Sequence, residues 1–174
     1  MLTNITPTDI QVDSYRVFVA TLANDVDTYS PKQYDQDHRL LRLVLAGEDP
    51  DATNKVATLD LVTNAQAVLQ SDTISVVKVA SNTNGPLLGA SVSSAPFTTG
   101  AARLTFSPAL TLVGTNELTL FIGYDVGSST NVVGKRLGLR VTNGGIGLSD
   151  ARSDGFARAL EVGSFTSGPV PATN

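Results

Sequence analysis

His38 is the sole histidine of the chain, and carboxylates flank it at Asp35 and Asp37. An imidazole beside carboxylates is the makings of a hydrolase triad or of part of a metal site. A triad also needs a nucleophile, and the sequence has no cysteine and no G-x-S-x-G elbow. The plainer reading of His38 is a polar residue where a loop enters a strand. More acids gather at Asp25 and Asp27, and again at Glu48, Asp49 and Asp51. Calcium takes about six to eight oxygen ligands, often from closely spaced carboxylates. These acids lack the spacing of an EF-hand, so solvated loop carboxylates are the expectation. Asp25 and Asp27 are the better calcium candidates, because a long loop could wrap an ion. Paired acids also serve glycoside hydrolysis, but sugar sites usually add aromatic platforms. Here tryptophan is absent and tyrosine is confined to Tyr15, Tyr29, Tyr34 and Tyr124. Tyr29 and Tyr34 are the residues that could meet a glycan; more often such residues pin a loop. Asn143-Gly144-Gly145-Ile146-Gly147 lacks the Lys-Ser/Thr of a phosphate loop and reads as a turn. The expectation is therefore no enzyme, no catalytic residue, no cofactor site and no assigned metal site.

Composition narrows the function classes further. The chain has 174 residues and a formal charge of −4, a mild acidity that argues against nucleic acid, which needs a basic face. A chain near this length can bury roughly 70% of its unfolded surface, so it needs no covalent staple. Zero cysteines exclude disulfides and thiolate metal sites. No apolar stretch approaches the ~18 residues of a membrane span, and Met1 to Pro7 shows neither a basic nor an apolar leader segment. Lysine is restricted to Lys32, Lys55, Lys78 and Lys135, while Thr, Ser, Asn, Gly and Val dominate. Such surfaces are common on extracellular β proteins, so an extracellular or cell-surface home is expected, with a cytosolic home or carriage in a virion as the other reading.

The elements that must position these residues are strands. Apolar alternation at period two recurs and helical periodicity is scarce. Candidate strands run over Asp9 to Asp13, Tyr15 to Ala20, His38 to Ala46, Lys55 to Val62, Ile74 to Val79, Leu87 to Val92, Ala102 to Phe106, Glu117 to Val126, Arg136 to Val141 and Leu160 to Phe165. Along Lys55 to Val62, alternation puts Val56, Thr58 and Asp60 on one face and Ala57, Leu59 and Leu61 on the other. Along Glu117 to Val126, Leu118, Leu120 and Ile122 share a face. Turn chemistry separates the runs at Gly47 to Asp51, at Asn82 to Pro86, at Gly114 to Asn116 and at Asn143 to Gly145. Thr63 to Gln70 and Ser149 to Leu160 could each form a helical turn. Short strands at this spacing predict an all-β fold, an antiparallel immunoglobulin-like or jelly-roll sandwich with an N-terminal strand extension. The expected organisation is an extension with a long polar loop over 1–37, a sandwich over 38–167 and a tail over 168–174.

The stretch Leu112-Val113-Gly114-Thr115-Asn116-Glu117-Leu118-Thr119-Leu120-Phe121-Ile122-Gly123-Tyr124-Asp125-Val126, followed by Gly134 and Leu137, resembles a pattern of bacterial surface proteins. It is similar to the immunoglobulin-like accessory modules found beside sialidase-type propellers and in other large secreted proteins. The resemblance implies a sandwich and an extracellular home, and it implies no catalytic activity. Three functions follow as expectations. One is self-association with identical subunits in a filament, surface layer or shell, through a strand supplied by the N-terminal segment. The others are a monomeric adhesive module and a carbohydrate-binding accessory module.

Overall fold

The computed structural model describes residues 17–24, 34–63, 74–85, 87–127 and 139–149. These residues form an all-β, wholly antiparallel structure with no helix among them. The strands are β1 (Val17–Asn24), β2 (His38–Gly47), β3 (Thr53–Thr63), β4 (Ile74–Ala80), β5 (Thr83–Asn84), β6 (Leu87–Leu88), β7 (Ser91–Pro96), β8 (Ala101–Val113), β9 (Leu118–Val126) and β10 (Leu139–Leu148). The larger sheet runs β5-β6-β2-β9-β4-β7, with β1 also pairing β2; the smaller runs β10-β3-β8. The two sheets enclose one core, as a β-sandwich does.

The centre of the larger sheet follows from alternation. Leu120, Ile122, Tyr124 and Val126 of β9 are buried, and they lie beside buried Leu41 and Leu43 of β2 and Val77 and Val79 of β4. Across the core stand Leu59 and Leu61 of β3, Leu104 and Phe106 of β8, and Leu139, Val141 and Ile146 of β10. Burying each such side chain is worth about 1.5–3 kcal/mol. In β3 the register slips between Val56 and Thr58. Val56 consequently joins the core at 1% exposure, on the side opposite to its expected face: a bulge resets the alternation that a plain count assumes.

Other departures from the sequence pattern have local causes. The expected strand Leu87 to Val92 divides into β6 and β7, because Gly89 comes close to Asn82 and its N–H bonds the Asn82 carbonyl at 3.0 Å. β8 runs on past Phe106 to Val113, with the segment around the cis peptide Ser107-Pro108 looped out where Val56 and Thr58 pair Leu110 and Thr105. The glycines expected to make a turn at Asn143 to Gly145 lie inside β10, where pairing to β3 jumps from Val141 to Ile146. The β7–β8 connection, Phe97 to Gly100, carries the chain from the larger sheet to the smaller. Ser93 Oγ closes that corner by donating to the Thr105 carbonyl at 2.8 Å. The expected strands at Asp9 to Asp13 and Leu160 to Phe165 lie outside the described residues, as do 64–70 and 150–160 of the two helical candidates.

Candidate functional site

One end of the sandwich collects the polar chemistry. β2 starts there, β9 ends there, and β4 starts there, since Ile74 pairs Val126. Residues 34–37 lead into β2 and are pinned to β9. The Val126 N–H donates to the Asp35 carbonyl at 2.8 Å, and the Asp37 N–H donates to Asp125 Oδ1 at 2.9 Å. The β7–β8 connection reaches the same end, through a Phe97 N–H to Ser75 carbonyl bond of 3.3 Å. The non-glycine residues with positive φ among the described residues are Tyr34 (65°), Asp37 (63°) and Thr99 (50°), and all belong to this end. Backbone held in the left-handed region costs on the order of 1–3 kcal/mol, and it concentrates at binding and switching segments.

Lys78 organises the outer face of this end. Val77 and Val79 point into the core, so Lys78 points out, above Gly123 of β9. Its ammonium lies 2.7 Å from Asp37 Oδ1 and 2.8 Å from Asp125 Oδ1. Burial pulls the Lys78 amine down, but its hydrogen bonds to Asp125 and Asp37 and their charges outweigh that and hold it above its ordinary value. A side chain at Gly123 would run into the His38 carbonyl and the Leu88 side chain; glycine lets the β5–β6 hairpin fold down here, with the Leu88 N–H on the Asp37 carbonyl at 2.8 Å.

His38 faces the interior of the same end. It is 5% exposed and its ring lies 5.9 Å from that of Tyr124, its neighbour across the β2–β9 ladder. Its Nε2 is 3.4 Å from Asp35 Oδ2. Burial holds the imidazole below its ordinary value, against the upward pull of Asp35, Asp125 and Asp37. The neutral ring is a packed part of the sandwich end.

The expected constellation of Asp35, Asp37 and His38 therefore divides. Asp35 turns to His38, and Asp37 turns to Lys78. Lys78 and Asp125 were not visible as partners in the sequence, because only the β4–β9 register brings them together. Tyr34 stands at the rim with 67% exposure. Glu48, Asp49 and Asp51 lie in the β2–β3 turn, where Asp49 Oδ1 accepts the Asp51 N–H at 2.8 Å, an ordinary role for an acid in a turn. Asp25, Asp27 and Tyr29 lie outside the described residues. Among the described residues no group of three or more His, Asp or Glu is arranged to hold a metal.

A second feature lies along the sheet rather than at its end. β1 pairs β2 from Val17 opposite Gly47 to Asn24 opposite Leu41, with a bulge between Val19 and Thr21. Among the described residues β2 is its sole partner, so β1 is the edge strand on that side of the described sheet. Its sequence, VFVATLAN, contains no charge and no proline. Among the described residues no helix is long and apolar enough to cross a membrane. No protein-family model matches this chain, and no curated protein sequence matches it significantly.

Proposed function

We propose that the chain is a non-enzymatic structural subunit of an extracellular or surface assembly, a filament, surface layer or shell, joined edge to edge at β1. The observation that carries this reading is the chemistry of that edge. Edge strands are ordinarily blunted by charge, proline or a cover, because their free N–H and C=O groups template further strands. Val17–Asn24 has neither charge nor proline. β1 can thus pair a neighbour's sheet or be exchanged for a neighbour's strand. The lysine-poor, hydroxyl-rich composition supports an extracellular setting, as does the resemblance to surface modules.

Light scattering on a sizing column, with negative-stain imaging of the same fractions, tests the proposal. Regular multimers support it, and a monomer at every concentration overturns it. Paired variants locate the contact. Consecutive N–H groups of a strand alternate between its two neighbours. Of Thr21→Pro and Leu22→Pro, one therefore removes a bond to β2 and destabilises the fold, while the other blocks the outer edge and leaves a stable monomer.

A second reading, a monomeric adhesive or carbohydrate-binding module, is favoured by Tyr34. Its ring is well exposed on backbone pinned to β9, the arrangement of an aromatic contact residue. Saturable glycan binding that is lost in Tyr34→Ala, with a monomeric parent, would select this reading over assembly.

A further inference from the structure

Beside the polar end described above, a cleft of about 520 Å³ opens between β3, the start of β8 and the β7–β8 connection. Its size falls in the range of about 300–1,000 Å³ usual for small-ligand sites. Val62, Ala101 and Pro96 supply an apolar lining, while Asp60, Arg103, Thr98 and Thr99 supply polar groups. Asp60 and Arg103 face each other across the β3–β8 ladder. Arg103 Nε and Nη2 donate to the two Asp60 carboxylate oxygens, both at 2.6 Å. Thr99 holds a β-branched side chain at φ 50°, a conformation that glycine adopts without penalty. The neighbouring Gly100, at φ 79°, is fixed by its carbonyl, which accepts from both the N–H and the hydroxyl of Thr63 at 2.7 and 2.9 Å. The strained turn is thus clamped to β3 with the Thr98 and Thr99 side chains exposed at the cleft.

We infer that this cleft binds a neutral, hydroxyl-rich ligand of the saccharide class. The paired charges decide the class. Asp60 and Arg103 neutralise one another, so the cleft offers an ion little net field, and an anion would have to compete with Asp60 for the guanidinium. What the pair leaves over is the remaining N–H groups of Arg103 and the remaining lone pairs of Asp60. A hydroxyl can accept from the first and donate to the second at once, and neighbouring hydroxyls can do so side by side. Thr98 and Thr99 add two more groups that donate or accept. Val62, Ala101 and Pro96 suit the C–H face of a sugar ring. With no aromatic platform among the lining residues, binding is weak and set by hydrogen bonds. The inference stands apart from the assembly at β1 and from Tyr34.

The test is an amide NMR titration of the full chain with maltose, cellobiose and lactose, and with inorganic phosphate. Expected are saturable shifts at Thr98, Thr99, Gly100 and Arg103 with at least one sugar, and a loss of roughly tenfold or more in affinity in Arg103→Ala. The Arg103 side chain is 71% exposed, so this variant is expected to melt like the parent. Thr99→Gly separates binding from folding, since it should keep or raise the melting temperature while weakening the sugar. No saturable shift with any of the three sugars overturns the inference. Phosphate moving the same amides in their place overturns it in favour of an anion site, and shifts confined to the surroundings of Tyr34 overturn it in favour of that residue.

Discussion

Lys78 ties together three pieces of chain that the sequence keeps far apart: the lead into β2, strand β4 and the end of β9. Lys78→Met keeps the bulk and removes the cation, leaving the Asp125 side chain, 13% exposed, without its counter-charge. A hydrogen bond to a charged group is worth about 1.5–3 kcal/mol, and partial solvent screening reduces it. We expect a loss of about 1–2 kcal/mol, read as a lower urea midpoint at unchanged slope; a midpoint equal to the parent's would make the bridge an ordinary surface pair. His38 gives a pH dependence of definite sign. Burial lowers its proton affinity in the fold below the ordinary value of 6.5, so the unfolded chain takes up the proton first as pH falls. Its stabilising contribution is complete above about pH 6.5 and is lost as pH drops from there towards the folded value. Urea unfolding across this window should show a slope that His38→Phe flattens, and an unchanged slope would show that other groups carry the effect. The sequence pointed to Asp35, Asp37 and His38 because they are neighbours in the chain. It could not point to Lys78 or Asp125, whose part depends on strand pairing.

The strands themselves were legible where apolar, β-favouring residues run together. β2 is an almost continuously buried run, as suits a strand covered on both faces. β4 and β9 bury alternate residues at Val77 and Val79 and from Leu120 to Val126, and Gly114, at φ 57°, sits in the turn before β9 as its type suggests. Bulged strands hid their extent. The expected strand stops at Phe106, yet β8 runs on to Val113, because looping out the segment around Pro108, which cannot donate to a ladder, lets pairing resume at Leu110. Asn143 to Gly145 carry the residues of a turn, and a strand bulge uses the same residues. Face assignment failed at Val56 for the same reason. Gly123 is the element-level device that joins hairpin to sheet, since the β5–β6 hairpin packs where a side chain would be. Gly123→Ala should cost about 1–3 kcal/mol, the usual penalty of overpacking. It should also raise hydrogen exchange at the Leu88 amide, which bonds the Asp37 carbonyl. Unaltered exchange there, with lowered stability, would place the damage in β9 and not in the hairpin contact.

For the molecule as a whole, the question is whether β1 belongs to its own sheet by necessity or by proximity. β1 covers the outer edge of β2, whose Leu41, Leu43 and Leu45 lie in the core. Deleting residues 1–24 should therefore leave a sandwich whose remaining strands still pair, but with the free N–H and C=O groups of β2 turned outward. If strand exchange joins subunits, that edge must accept a strand that is not covalently its own. A synthetic peptide of residues 15–26 added to the shortened chain should bind saturably, raise its melting temperature in a concentration-dependent way, and suppress self-association. Scrambling the peptide should abolish the effect, because an edge with one face buried fixes its register. Deleting only residues 1–16 keeps β1 and separates the strand's role from that of the chain before it. If the peptide fails to bind while the shortened chain is folded, β1 is held by its tether and not by its pairing, and exchange cannot be the joint between subunits. If it binds and the parent forms regular multimers, the edge of β2 is the socket and β1 the plug of a repeating contact, one that backbone hydrogen bonds alone can carry.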